Sequence, residues 1–168
     1  FHFRYVLGLY SLLETLTTSY PNVLFEGCSG GGGRYDLGMM YYYPQIWCSD
    51  DTDAVERLKI QYGSSFAYPI SCAGSHVSAS PNHQTHRETP FDTRATVAMD
   101  GTFGYELDLN KLSSEEQSQV KEQVKEYKKY EKLILEGDYF RINSPYDNSR
   151  ICAWQHLSKD KSFGLLSI

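Results

Sequence analysis

Two short apolar strands, each running directly into a loop of distinctive composition, most constrain what this chain can fold into. The first is predicted at residues 23–25 and leads to Cys28 and a run of four glycines. The second is predicted at residues 45–48 and leads to Ser49 and a cluster of aspartates. Helix-like stretches flank both strands. Repeated strand–loop–helix units are typical of a parallel α/β sheet, whose chemistry lies at the carboxyl ends of its strands.

Two more strands are predicted downstream, at residues 68–72 and 104–109. The stretches between the strands have the apolar spacing of helices. Four such units amount to half of an eight-stranded barrel. Near the end of the chain, two strand-like runs at residues 151–157 and 162–168 predict an antiparallel hairpin.

Capping patterns predict where two of the helices begin. Asp53 is the expected N-cap of a helix whose apolar face carries Val55 and Leu58. Ser113 and Glu116 have the spacing of a capping box, which predicts the start of a long helix downstream.

Composition excludes some classes of function. A net charge of −5 argues against nucleic acid as a partner, because nucleic-acid binding requires a basic surface. No apolar run is long enough to span a membrane, so no membrane association is predicted. The four cysteines contain no CxxC pair, and reduced thiols in a cytoplasmic protein are their simplest explanation. The chain begins without methionine and is expected to be part of a longer protein.

Asp50 is the first candidate for a catalytic group. It directly follows the strand at residues 45–48, so its carboxyl group is expected at the carboxyl end of the sheet. Asp51 and Asp53 lie beside it, and neighbouring carboxylates raise each other's pKa, which favours a proton donor. On spacing alone an alternative is equally good, in which all three are acidic residues at a helix N-terminus, favoured by the helix dipole.

The glycine run is the second candidate. Residues such as Gly30 and Gly31 lack a Cβ, so a ligand can approach the backbone and bind its N–H groups. The Lys-Ser/Thr pair that would complete a phosphate loop is absent. A purely structural tight turn is the alternative. Trp47 lies three residues before Asp50, so strict strand alternation places the two on opposite faces and favours a packing role for the indole.

Histidines raise the question of a metal site. His83 and His86 are separated by two residues, and His76 lies nearby in the sequence. This spacing is not sufficient for zinc without convergent acids or cysteines, so loop hydrogen bonding is favoured. We therefore predict no metal site.

Four sequence runs together carry a family resemblance. They are, in chain order, CSGGGGRYD, PQIWCSDDTD, ERLKIQYGSS and GSHVSASPNHQTHR. These runs resemble the α-galactosidases of glycoside hydrolase family 36. The resemblance implies an α/β fold, namely the second half of a (β/α)8 TIM barrel over residues 1–143. The beginning of an antiparallel β-domain would follow over residues 144–168.

The resemblance also implies roles for particular residues. The first aspartate of the SDDTD run, Asp50, matches the family's general acid/base. Cys28 and Gly31 match residues that line the galactose site, and Trp47 matches a sugar contact. No metal or other cofactor is implied.

The implied reaction is retaining hydrolysis, by double displacement, of terminal α-galactosyl residues in oligosaccharides such as melibiose and raffinose. The family's nucleophile is an aspartate in a Lys-Trp-Asp motif on an earlier strand, and that motif does not occur in these 168 residues. The full-length protein is expected to form a homo-oligomer. Two alternatives stay open: a non-catalytic carbohydrate-binding remnant, and an α-galactosyl transferase of the raffinose or stachyose synthase type.

Overall fold

Four short parallel strands form the first of two sheets in the computed structural model, which describes residues 2–147 and 150–168. They are β1 (Glu26–Gly27), β2 (Gln45–Trp47), β3 (Ala73–Ser78) and β4 (Thr102–Glu106). The strands lie side by side in chain order, and each is paired in parallel with the next. Their carboxyl ends therefore meet at one edge of the sheet. This arrangement confirms the predicted α/β fold, with the consecutive parallel strands of half a (β/α)8 barrel.

Helices connect these strands and cover one face of the sheet. They are α1 (His2–Ser19), α3 (Leu37–Met40), α4 (Ala54–Ser64), α5 (Phe91–Ala98) and α6 (Ser114–Glu136), with 3₁₀ turns at Ile70–Cys72 and Leu109–Lys111. The segment labelled α2 (Ser29–Gly32) is a single irregular turn in which Gly30 and Gly31 have non-helical backbone angles. Both predicted caps are present. Asp53 accepts hydrogen bonds from the N–H groups of Val55 and Glu56 at the start of α4. Ser113 and Glu116 form the reciprocal capping box of α6.

None of the helices within the described ranges combines the length and the apolar character that crossing a membrane would require.

The two faces of the parallel sheet have different surroundings. Ile46 and Val77 are completely buried and belong to the two clusters of apolar side chains beneath the helices. Because side chains alternate along a strand, Trp47 and His76 lie on the opposite face. That face corresponds to the interior of a complete barrel.

Three strands differ from their predicted positions. The first strand lies at Glu26–Gly27, after the apolar residues 23–25, and Leu24 in that run is 86% exposed. The third strand begins at Ala73, where the sequence predicted an end at residue 72. The fourth, at Thr102–Glu106, begins two residues before the expected start at 104. The residues of β3 that lie beside β2 are small, because the side chains of β2 need the space. The strand therefore cannot be recognised in the sequence by a run of large apolar residues. A Cβ on Gly74, for example, would lie 3.3 Å from Cε3 of Trp47.

An antiparallel sheet follows helix α6. Its strands are β5 (Asp138–Asn143), β6 (Ala153–Leu157) and β7 (Gly164–Ser167), in that order across the sheet. The pairing of β6 with β7 confirms the predicted hairpin. The sheet already begins at Asp138, before the expected position at 144, because β5 continues directly from the end of α6 and pairs with β6.

Candidate active site

Asp50 lies in the loop that follows β2, at the carboxyl edge of the parallel sheet, and it is exposed. Its Oδ1 accepts a hydrogen bond of 2.9 Å from the indole Nε1 of Trp47. The two side chains therefore face the same site, and the prediction that they lie on opposite faces is wrong. The physical reason is that β2 ends at Trp47, so strand alternation does not extend to Asp50.

The indole of Trp47 contacts two other side chains. It stacks on the imidazole of His76, with ring centres 4.9 Å apart and an angle of 26° between the planes. The guanidinium of Arg57 lies 4.6 Å from the centre of the Trp47 ring, within the range of cation–π attraction. Burial lowers the pKa of His76 below its ordinary value, against the opposing charges of Glu26 and Glu106, which favours the neutral imidazole.

Arg57 also holds the backbone of the loop that carries Asp50. Its buried guanidinium donates hydrogen bonds of 2.6 Å to the carbonyl oxygens of Ser49 and of Asp51. A further hydrogen bond of 3.1 Å goes to the carbonyl of Gly74 on β3. Because Ser49 and Asp51 flank Asp50, both neighbours of the candidate acid are fixed to helix α4.

The sequence did not identify Arg57 as a contributor to the site. The buried residues of α4 are Ala54, Arg57 and Gln61, whereas Val55 and Leu58 of the predicted apolar face are only partly buried. The feature of the sequence that could have identified Arg57 as buried is the spacing of these three residues, which places them on one face of a helix.

The other two aspartates of the cluster serve the start of α4. Asp51 accepts a hydrogen bond of 3.1 Å from the backbone N–H of Asp53. Asp53 is buried, accepts a hydrogen bond of 2.5 Å from the Thr85 hydroxyl and pairs with Arg87. Burial alone raises the pKa of Asp53, but the hydrogen bonds from Thr85 and from the helix N–H groups, with the charge of Arg87, hold it below its ordinary value. The helix-start alternative is therefore correct for Asp53, the N-cap of α4, whereas Asp51 holds the loop that precedes the helix. Asp50 is the exposed aspartate of the three.

The glycine-rich turn closes against the loop of Asp50. The φ angles of Gly30, Gly31 and Gly32 are 67°, 72° and 87°, in the left-handed region that favours glycine. A Cβ on Gly31 would lie 3.0 Å from both Cγ and Oδ2 of Asp50. A Cβ on Gly32 would overlap the carbonyl oxygen of Cys48. Glycine is thus required here both for the backbone conformation and for the close approach to Asp50.

Cys28 and Gly30 lie on the exposed side of this turn. Both residues are exposed, and a Cβ built on Gly30 would meet nothing within 4 Å. Cys28 is a free thiol, as are the other three cysteines. The fold therefore places Trp47 and Gly31 in direct contact with Asp50, and Cys28 and Gly30 along the adjoining open surface.

The histidines do not converge on a metal site. Within residues 2–147 and 150–168, no group of three or more His, Cys, Asp or Glu side chains is arranged to hold a metal ion. His83 and His86 are exposed in a loop organised by Asn82, whose Oδ1 accepts hydrogen bonds from the N–H groups of Gln84 and Thr85. His76 instead packs over Gly104, where a Cβ would lie 2.5 Å from its Cδ2.

Comparison with known proteins assigns this chain to a family. The profile of the Melibiase family matches residues 1–137. The chain belongs to the melibiase family. It is 57% identical over 166 residues to the bifunctional α-galactosidase/sucrose kinase AgaSK of Mediterraneibacter gnavus, covering 99% of this chain and 18% of that protein. It is 52% identical over 164 residues to the α-galactosidase AgaA of Geobacillus stearothermophilus, covering 98% of this chain and 22% of that protein.

Solved structures of family members have the same fold over nearly the whole chain. The galactosidase domain of AgaSK superposes with a TM-score of 0.95 and covers 98% of this chain and 23% of that one, at 57% identity. A variant of the family 36 enzyme AgaA of G. stearothermophilus, in complex with raffinose, gives a TM-score of 0.95 over 97% of this chain and 23% of that one, at 52% identity. The resemblance to family 36 is therefore confirmed. The chain spans about a fifth of the length of the curated relatives that it matches.

Proposed function

We propose that this chain forms part of the active site of a retaining α-galactosidase, in which Asp50 is the general acid/base. The contact between Trp47 and Asp50 carries the proposal, because it presents an exposed carboxyl group, held by a neutral donor, at the carboxyl edge of the sheet. This edge is where enzymes with (β/α)8 barrels carry their active sites. Membership of a family whose relatives are named α-galactosidases supports the same reaction.

The hydrogen bond from Trp47 supports an assignment of the catalytic proton to one oxygen of Asp50. An indole N–H only donates, so Oδ1 of Asp50 accepts. A carbonyl oxygen is a better acceptor than a hydroxyl oxygen, so we assign the proton that Asp50 delivers to Oδ2. A Cβ at position 31 would lie 3.0 Å from that oxygen, so Gly31 leaves Oδ2 accessible.

In the first step, Asp50 protonates the glycosidic oxygen as the leaving group departs. In the second step, the same group is a carboxylate and accepts a proton from the attacking water. Cys28, Gly30 and Gly31 line the adjoining surface and bind the galactosyl residue, with Trp47 at its border. The chemistry requires no metal or other cofactor.

The substrates of this proposal are oligosaccharides with a terminal α-galactosyl residue, such as melibiose and raffinose. Solved structures of AgaA variants from G. stearothermophilus in complex with raffinose and with stachyose support this class. Both ligands are neutral, which suits a site where the carboxyl group of Asp50 is bound by an uncharged donor.

Double displacement also requires a nucleophile, about 5–5.5 Å from the acid/base. The Lys-Trp-Asp motif that carries it in the family does not occur in these 168 residues. We therefore propose that an earlier strand of the full-length protein supplies the nucleophile, while this chain supplies the proton donor. The free cysteines of the described residues support a cytoplasmic location for that protein.

Chemical rescue of Asp50→Ala in the full-length protein tests the assignment. The variant is expected to lose most activity on substrates with poor leaving groups, which need a proton, and much less in the glycosylation of p-nitrophenyl α-galactoside. Azide is expected to restore turnover of the activated substrate and to yield the α-galactosyl azide, because it attacks a β-linked intermediate. The matched control is Asp51→Ala, whose carboxylate is bound within the loop, and it should show no azide dependence.

The products distinguish the alternatives. Formation of the β-galactosyl azide would identify Asp50 as the nucleophile and reverse the assignment. Galactosyl transfer to sucrose or raffinose in preference to water would indicate a transferase of the raffinose or stachyose synthase type. Galactoside binding without turnover in the unsubstituted full-length protein would indicate a non-catalytic remnant.

A further inference from the structure

The loop that carries Asp50 belongs to neither a strand nor a helix. It extends from the end of β2 at Trp47 to the start of α4 at Ala54. Backbone carbonyl groups in such a loop are not paired by a strand ladder or a helix, so other donors must satisfy them. The conformation of the loop, and with it the direction of the Asp50 carboxyl group, depends on those donors.

Arg57 supplies donors on both sides of Asp50. Its Nη2 donates to the carbonyl oxygen of Ser49 and its Nε donates to that of Asp51, at 2.6 Å each. Because the guanidinium is planar and rigid, these two hydrogen bonds set the distance and the relative orientation of the two carbonyl groups. A rotation of the Asp50 backbone between them would weaken at least one of the two hydrogen bonds.

The guanidinium is itself held by the parallel sheet. Its Nη1 donates to the carbonyl oxygen of Gly74 on β3 at 3.1 Å and to Sγ of Cys48 at 2.9 Å. Arg57 is also only 3% exposed, so packing restricts the side chain on every side. The sheet therefore fixes the guanidinium, and the guanidinium fixes the loop.

The same guanidinium contacts the side chain that binds Asp50. Its central carbon lies 4.6 Å from the centre of the Trp47 ring, and the indole N–H of Trp47 donates to Oδ1 of Asp50. A cation over an aromatic face is attracted to the ring, which favours one position of the indole. Arg57 therefore acts on Asp50 by two routes, through the loop backbone and through the indole.

We propose that Arg57 is the positioning residue of the acid/base, a buried side chain that acts through its neighbours to keep the carboxyl group of Asp50 in its reactive place. This role rests on the proposed assignment of Asp50 as the general acid/base. Proton transfer is sensitive to such placement, because a displacement of about 1 Å can cost about a hundredfold in rate. Loss of Arg57 therefore acts mainly on the step in which the leaving group is protonated.

Leaving-group dependence in the full-length protein tests this role. Arg57→Met keeps an unbranched stem but removes every hydrogen-bond donor. On methyl α-galactoside, whose leaving group needs a proton, kcat/KM is expected to fall at least about tenfold more than on p-nitrophenyl α-galactoside. A variant that only lowers the amount of folded protein would reduce both values by the same factor. The ratio of the two kcat/KM values therefore separates positioning from stability.

Gln61 offers the matched control on the same face of α4. It is 2% exposed and donates to the carbonyl oxygens of Val97 and Asp100. Gln61→Met therefore also leaves buried carbonyl groups without this donor, one turn further along the helix, but away from the loop of Asp50. It should lower the melting temperature, as Arg57→Met does, and should leave the ratio of the kcat/KM values unchanged.

Arg57→Lys covers the case in which Arg57→Met does not fold. Lysine keeps the positive charge and a donor group but lacks the planar fork that reaches two carbonyl groups at once. The ratio of the kcat/KM values should therefore change in the same direction as in Arg57→Met, by a smaller factor. Circular dichroism of each variant shows whether it is folded.

A double variant tests whether Arg57 acts through Asp50. Asp50→Ala alone should show the largest change in the ratio of the kcat/KM values. Adding Arg57→Met to Asp50→Ala should change the ratio no further, because the group that Arg57 positions is then absent.

The outcomes separate the positioning role from the assignment of Asp50. An unchanged ratio in the folded Arg57 variants, together with a changed ratio in Asp50→Ala, would overturn the positioning role alone. An equally changed ratio in Gln61→Met, or a further change on adding Arg57→Met to Asp50→Ala, would also overturn it. An unchanged ratio in Asp50→Ala itself would overturn the acid/base assignment, and the positioning role with it.

Discussion

The indole N–H of Trp47 donates a hydrogen bond of 2.9 Å to Oδ1 of Asp50. This contact joins the last residue of β2 to the loop that follows it, and so ties the candidate acid to the rigid sheet. Loops carry functional groups more precisely when a scaffold residue holds them. The position of Asp50 is therefore determined by the sheet as well as by its own loop.

Trp47→Phe in the full-length protein should weaken catalysis without unfolding the chain. Phenylalanine keeps an aromatic ring beside His76 but cannot donate to Asp50. We expect kcat/KM to fall by roughly tenfold, and more for substrates with poor leaving groups, because a misplaced acid matters most where a proton is needed. Steady-state kinetics on a series of aryl and alkyl galactosides measures this. The other tryptophan of these 168 residues offers a matched control, since Trp154→Phe should leave the leaving-group dependence unchanged.

Substitutions in the glycine turn should separate binding from catalysis. Gly31→Ala and Gly30→Ala both place a Cβ at positive φ and should each cost about 1–2 kcal/mol of stability. Only the Cβ at 31 approaches Asp50, so Gly31→Ala should lower kcat by at least about tenfold. Gly30→Ala should act mainly on KM, because its Cβ points into the open surface. Equal effects of both variants on kcat would refute a specific role for the close approach at Gly31.

Acid should selectively remove the stabilisation that Asp53 provides. Its pKa is depressed in the folded protein, so its contribution is fully present above the unfolded value of about 4 and is lost as the pH falls through the folded value. Asp53→Asn keeps a cap for α4 but loses the charge that pairs with Arg87. We expect it to be less stable by about 1–3 kcal/mol at pH 7, with the difference shrinking below pH 4. Thermal melts from pH 7 to pH 3 measure this, and a constant difference across the range would contradict it.

The isolated 168-residue chain should not hydrolyse p-nitrophenyl α-galactoside. It holds the proposed proton donor but not the Lys-Trp-Asp motif, and an acid alone cannot form the glycosyl-enzyme intermediate. A colorimetric assay of the purified chain measures this, with the full-length protein as the positive control. Turnover by the chain, free of host galactosidase, would show that the nucleophile lies within it.

The elements that the sequence predicted best are those that local chemistry determines. The capping box of Ser113 and Glu116 forms within one helical turn, so its pattern is readable without any knowledge of the fold. The strands β1 and β3 were misplaced because their limits depend on pairing with distant residues. Ala73, for example, begins β3 because it lies beside Ile46 on β2.

The candidate site was predictable only where its features depend on local sequence. The position of Asp50 at the carboxyl edge of the sheet was predictable because it follows an apolar strand, but its contact with Trp47 depends on where β2 ends. Arg57 and Gln61 were missed because charged and polar side chains are usually exposed. Here both side chains are buried because they donate hydrogen bonds to backbone carbonyl groups at the ends of neighbouring elements. Arg57 donates to the carbonyl of Ser49, and Gln61 donates to the carbonyl of Val97.

The absence of a side chain at Gly104 has a consequence for engineering this site. His76 lies directly over Gly104, Trp47 stacks on His76, and Asp50 is bonded to Trp47. Even a methyl group at position 104 would displace the imidazole, and the shift would pass through two aromatic rings to the acid. Libraries designed to tune the reactivity of Asp50 should therefore include position 104, on a strand that never touches the carboxyl group itself.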